Sequence, residues 1–147
     1  MLIYLDNCTF NRPFDDQKQK SIYAETIAKL QIQEKIKIGD LNLAWSYILD
    51  FENSVNPFDE RRISIANWKN RAIVDTDENK SVLKIANDIQ KNKIKAKDAL
   101  HIACAIVLHC DFFITTDYHL IKNCYNFERI EVINPIDFLK KIKDVNQ

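Results

Sequence analysis

Five short apolar runs, each separated from the next by longer helix-like stretches, constrain this chain more than any other feature. Leu2 to Leu5, Leu41 to Ser46, Ala72 to Val74, Phe112 to Thr115 and Ile130 to Ile133 have the length and side chains of buried strands. Short apolar strands that alternate with helices line up in parallel, with helices covering both faces of the sheet. The pattern predicts an α/β fold with a small, mostly parallel central sheet of four to five strands. A single glycine, Gly39, and three prolines leave little room for long loops. The 147 residues fit one domain, 1–147, with no repeat or linker.

The intervening segments carry helical periodicity. Gln17 to Lys35 spaces Ile22, Ile27, Leu30 and Ile32 among polar residues, and Tyr47, Ile48 and Phe51 belong to a helix that follows the second strand. Asn56-Pro57 breaks the chain, because the residue before proline avoids the helical region. Asp59 to Arg71 reads as a charged helix with an Ile63, Ala66 and Trp68 face. Asp77 opens a helix that buries Val82, Leu83, Ile85, Ala86 and Ile89. Lys97 to Cys110 is the most apolar helix, Asp117 to Cys124 a short one, and Pro135 starts a last helix holding Ile136, Phe138, Leu139 and Ile142.

Charge and cysteine content narrow the function. With 21 basic and 21 acidic side chains the net charge is zero, which argues against strong sequence-independent binding of duplex nucleic acid. Bound cations or a local Lys/Arg cluster can still supply a positive field. Cys8, Cys104, Cys110 and Cys124 contain no CxxC pair and read as reduced, small hydrophobic residues of a cytoplasmic protein. No basic leader or membrane-length apolar stretch is expected.

Two strand candidates end on aspartate: LIYLD at Asp6 and FFITTD at Asp117. In open parallel sheets ligands bind beyond the carboxyl ends of the strands, where strand order reverses. Paired carboxylates there suit a hard divalent cation such as Mg²⁺ or Mn²⁺. Taken singly, Asp117 and Asp98 also read as helix N-caps. Asp6 does not, since Asn7 to Pro13 lacks the look of an immediate helix start. Glu52, beside Asp50, is an ordinary surface acid when taken alone.

Four blocks in order add to this. IYLDN carries Asp6; SYILDFEN carries Glu52; KAKDALHIACAIVLHCDFFITTDYHL carries Asp98 and Asp117; and VINPIDFL closes the chain. In this arrangement the sequence resembles PIN-domain proteins, in particular the small toxins of VapBC-type toxin–antitoxin pairs. The resemblance implies a three-layer α/β/α PIN-like domain and a metal-dependent endoribonuclease. Asp6, Glu52, Asp98 and Asp117 would be its catalytic and metal-binding acids, holding Mg²⁺ or Mn²⁺. It further implies an RNA substrate, an antitoxin partner and a homodimer. The chain reads Asp6-Asn7-Cys8 where such proteins commonly place a small hydroxyl residue after the first Asp, which leaves the role of Asn7 open. Asp50 competes with Glu52, and only one of them should face the cluster.

Thr115 or Thr116 could orient a carboxylate or a water. Arg12, Arg61, Arg62, Lys95 and Lys97 are candidates for phosphate contacts, each equally readable as solvated charge. His101, at i+3 from Asp98, reads as a partly buried helix histidine with a hydrogen-bond partner. His109 and His119 lack the spacing of a metal triad. Phe10, Phe14, Trp45, Trp68 and Phe138 read as core, and Asp77 as a cap. The alternative function is a catalytically inactive PIN-like binding module acting through a protein or RNA partner.

Overall fold

In the computed structural model, which describes residues 1–145 and side-chain surroundings to residue 143, β1 (Leu2–Leu5) lies at the centre of a five-stranded sheet. Its neighbours are β2 (Asn42–Ala44) and β4 (Phe112–Ile114), with β3 (Ala72–Val74) and β5 (Glu131–Ile133) at the edges, giving the order β3-β2-β1-β4-β5. All four pairings are parallel, so the sheet is wholly rather than mostly parallel. Ile3, Tyr4 and Leu5 are fully buried, as a central strand covered on both faces requires. Edge strand β3 instead leaves Ile73 60% exposed.

Among the described residues, eight helices surround the sheet: α1 (Asn7–Asn11), α2 (Lys20–Lys37), α3 (Tyr47–Ser54), α4 (Asp59–Trp68), α5 (Lys80–Gln90), α6 (Ala96–Val107), α7 (Tyr118–Asn123) and α8 (Pro135–Val145). Their ends follow local chemistry. Ser46, Asn79 and Asp117 cap α3, α5 and α7 by accepting the amides of Leu49, Val82 and Leu120. At α8, Asn134 Oδ1 accepts the Asp137 amide while its Nδ2 donates back to Asp137, with Pro135 in the first position.

The helix α2 stops in a Schellman turn. Gly39 adopts φ +86°, its N–H reaches Ile36 O, and the Asp40 N–H reaches Lys35 O. Helix α6 ends in the same hydrogen-bond pattern, from His109 to Ile106 and from Cys110 to Ala105. There the left-handed position is held by His109 at φ 60°.

Several expectations need correction. The helix expected to open at Asp77 opens at Lys80 with Asn79 as its cap, because the Asn79 side chain reaches the Val82 amide. Asp6 is followed at once by α1 and caps it, accepting the Asn7 amide at 2.8 Å. Helix α4 buries Ile65 and leaves Ile63 exposed, while Trp68 is half-buried beneath Lys37 and Arg71. Phe14 is likewise only half-buried, under Arg61, whereas Phe10, Trp45 and Phe138 are core. The largest departure is α2. It buries Glu25, Thr26, Lys29 and Gln33 and exposes Tyr23, Ile27 and Leu30. Among the described residues no helix is long and apolar enough to cross a membrane.

Candidate active site

The chain runs from β1 outward through β2 to β3, then crosses back to β4 on the other side of β1 and on to β5. The carboxyl ends of β1 and β4 therefore flank the point where strand order reverses. Asp6 follows β1 directly, and its backbone N–H continues the ladder to Ile114 O at 2.9 Å. Asp117 lies just beyond β4 at the head of α7. Asp98 comes from the first turn of α6, and Glu52 from the second turn of α3.

These acids influence one another. Burial and the charges of Asp6 and Asp117, with Glu52 adding, push the Asp98 carboxyl from 3.8 up to about 6, against a lowering contribution from His101. Asp98 makes no capping bond, since Lys95 holds the N-cap position of α6; its environment is the cluster itself. Burial raises the Glu52 carboxyl too, but His101, Lys97 and the Asn7 side chain bring it below its ordinary value.

Asp6 is held rigidly. Oδ1 accepts the Asn7 amide at 2.8 Å, and Oδ2 accepts the Thr115 hydroxyl at 2.8 Å and the Cys8 thiol at 3.4 Å. Thr115 also accepts the Asp117 amide at 3.1 Å, so one buried hydroxyl ties the two strand-end acids together. Thr116 meets the site at Cys8, whose Sγ accepts its amide at 3.4 Å. Cys8 is thus half-exposed at the site rather than in the core, while Cys104, Cys110 and Cys124 are buried as expected. Burial, then Asp6, push the Cys8 thiol up to about 12, favouring its protonated form.

The competition between Asp50 and Glu52 is resolved by direction. Asp50 accepts Trp45 Nε1 at 2.9 Å and Lys69 Nζ at 2.8 Å, away from the cluster, whereas Glu52 joins it. His101 has the hydrogen-bond partner expected of it, but it is fully buried and the partner is Glu52 Oε1 at 2.7 Å. Its Nε2 also lies 3.9 Å from Asp6 Oδ1. The sequence signals for this role were the i+3 spacing from Asp98 and a lone tyrosine, Tyr4, within an aliphatic strand.

The cations differ in availability. Arg12 is bound to Asp15 and Glu25, and Arg62 to Asp59. Arg61 stacks over Phe58 and donates to Phe14 O. Lys95 and Lys97 stand exposed at the head of α6, with Lys97 acting electrostatically on Glu52.

The donor set fits a hard cation: all four acids offer oxygen, and a partial positive charge at the head of α6 cannot neutralise them. Asn7 Oδ1 is buried beside Asp6 with no hydrogen-bond partner among the described residues, an acceptor suited to a water of a hydrated ion. Among the described residues, no three His, Cys, Asp or Glu side chains are placed to hold a metal ion together. An ion here would be held by one or two of the carboxylates and by water, the usual habit of Mg²⁺.

Comparison with solved structures agrees with the fold. The chain is similar to a chain of VapBC2 from Rickettsia felis bound to a DNA fragment from their promoter, with TM-score 0.58 and 14% identity over 91% of this chain and 98% of that one. It is similar to VapBC-1 from nontypeable Haemophilus influenzae, with TM-score 0.60 and 14% identity over 92% and 99%. DNA-bound VapBC from Salmonella typhimurium gives TM-score 0.55 and 14% identity, again over 92% and 99%. No protein-family model and no curated protein matches the sequence. The architecture is the three-layer α/β/α, PIN-like fold that the sequence resemblance implied.

Proposed function

We propose that this PIN-fold chain is a metal-dependent endoribonuclease, the toxin member of a toxin–antitoxin pair. The observation that carries the reading is the convergence of Asp6, Glu52, Asp98 and Asp117 from four separate elements, where burial first and then the charges of Asp6 and Asp117 raise the Asp98 carboxyl to about 6. Mutual repulsion of this kind is unfavourable to the fold and is relieved by a bound cation.

Asp6, Asp98, Asp117 and Glu52 would hold one or two Mg²⁺ or Mn²⁺ ions. A bound ion of this type supplies an activated water at neutral pH and stabilises charge on a phosphate. Thr115 fixes the rotation of Asp6 and the start of α7. Lys95 and Lys97, exposed at the head of α6 that carries Asp98, would meet an RNA phosphate. The VapBC neighbours support an antitoxin partner, and the exposed Tyr23, Ile27 and Leu30 at helical spacing on α2 offer an apolar face for a protein contact or a homodimer.

The test is incubation of purified protein and Mn²⁺ with total RNA, with cut-site mapping. Cleavage should be lost in Asp6→Asn and Asp98→Asn while both retain a native melt. Wild-type rates in both variants would sink the acidic-cluster mechanism. One observation favours the second reading, an inactive binding module: both oxygens of Asp6 already accept hydrogen bonds. Absence of any thermal shift at millimolar Mg²⁺ or Mn²⁺ would decide for it.

A further inference from the structure

Ser46, Tyr4, His101 and Glu52 form one chain of hydrogen bonds that begins in the core and ends on an acid of the site. Tyr4 Oη lies 2.6 Å from both Ser46 Oγ and His101 Nδ1, and His101 Nε2 lies 2.7 Å from Glu52 Oε1. Ser46, Tyr4 and His101 are all fully buried, so solvent cannot replace a missing partner. Ser46 Oγ is further occupied by the Leu49 amide at 3.3 Å.

Following the protons along this chain fixes what Glu52 meets. With a neutral imidazole, Ser46 donates to Tyr4, Tyr4 donates to Nδ1, and the ring proton sits on Nε2 facing Glu52. With an imidazolium, Nδ1 donates to Tyr4, Tyr4 donates to Ser46, and Nε2 still carries its proton. The chain reverses direction, yet Glu52 receives an N–H in both cases. A proton on Nδ1 alone would set two lone pairs against each other across 2.7 Å.

We propose that His101 is a positioning residue: its Nε2–H, directed by the Tyr4–Ser46 pair, fixes the rotation of the Glu52 carboxylate beside Asp6, in readiness for a shared cation. The proposal rests on the reading of the acids as a cation site. A buried ring that touches a ligand but not the ion commonly sets affinity in this way, with losses of roughly 10–100-fold when it is removed.

Two variants of similar length separate positioning from simple packing. His101→Gln keeps an N–H within reach of Glu52, whereas His101→Met fills the space without a donor. Calorimetric titration with Mn²⁺ should show His101→Met weakened by roughly 10–100-fold and His101→Gln retaining most of the affinity. Under subsaturating Mn²⁺, His101→Met should lower kcat for RNA cleavage and leave KM unchanged. Wild-type Mn²⁺ affinity in a folded His101→Met overturns the proposal, as does a His101→Gln that folds but binds as weakly as His101→Met. Should His101→Met not fold, Tyr4→Phe removes the group that directs the ring, and unchanged Mn²⁺ affinity there overturns it equally. A wild-type protein that binds no Mn²⁺ removes the cation reading and this proposal with it, whereas failure at His101 alone leaves the cation reading standing.

Discussion

Replacing Asp98 by Asn should make the protein more stable at neutral pH and inactive at the same time. Asp98 has its carboxyl raised from 3.8 to about 6, first by burial and then by Asp6 and Asp117. Because the folded value exceeds the unfolded one, the folded state holds the extra proton between these two pH values. Stability therefore falls as pH rises from about 4 to about 6, and the full cost is present above that window. The gap corresponds to a ceiling of about 3 kcal/mol. Asp98 is partly exposed, and solvent screening removes roughly half of that. Its favourable place in the first turn of α6, worth about 0.5 kcal/mol, is also lost in the amide. A net gain of about 1 kcal/mol remains, or a rise in Tm of roughly 2–4 °C for a chain of this size. The measurement is urea unfolding of both proteins in EDTA from pH 4 to pH 8. The curves should coincide near pH 4 and separate above pH 6, and millimolar Mn²⁺ should reverse their order by stabilising the wild type alone. An Asp98→Asn protein no more stable than wild type at pH 8, or a difference that does not vary with pH, would refute the argument.

Thr115→Val removes the hydroxyl that bonds Asp6 and receives the Asp117 amide; stability should drop by about 1–2 kcal/mol and cleavage by roughly 10–100-fold, read by melts and single-turnover assays. His109→Gly relieves a left-handed backbone at φ 60° and should raise stability by up to about 1 kcal/mol in urea without altering cleavage. Lys29, buried in α2 near the Phe10 ring, has its amine lowered from 10.5 to about 8 by burial and by Lys37. The unfolded chain binds the extra proton between those values, so wild-type stability should rise from pH 8 to pH 10 and Lys29→Met should flatten the rise, with a gain at pH 7 below about 3 kcal/mol. A pH-independent difference between the two would count against a strained amine. Lys95→Ala with Lys97→Ala should raise KM for RNA and reduce the salt dependence of cleavage with little change in kcat, measured by initial rates across a salt series.

What could be read from the sequence follows from which signals are local. Strand positions were legible because β1 and β4 are buried on both faces and so carry unbroken apolar runs. Asp6 and Asp117 were legible for the same reason, as the first acids past those runs. Helix faces failed where burial depends on distant chain: α2 turns Glu25 inward to meet Arg12, so Ile32 is buried as expected while Ile27 and Leu30 face outward. Asp98 and Glu52 were out of reach of local rules, because only the parallel pairing of β1 with β4 and the lie of α3 bring them to Asp6. Resemblance supplied both. His101 was weighed as a helix histidine because nothing in its own segment reveals Tyr4, 97 positions away, or Glu52, 49 away.

The strand order also has a consequence in time. β1 is made well before β4, yet β4 is one of its two neighbours, and the hydroxyl that seats Asp6 belongs to Thr115. Until β4 and the residues just past it have been made, Asp6 has neither Thr115 nor Asp117 beside it, and β5 completes the edge later still. A nascent chain of this architecture carries no assembled acid cluster before β4 has paired with β1. Under the proposed function, the cleavage site comes together only once β4 has been made and has paired with β1.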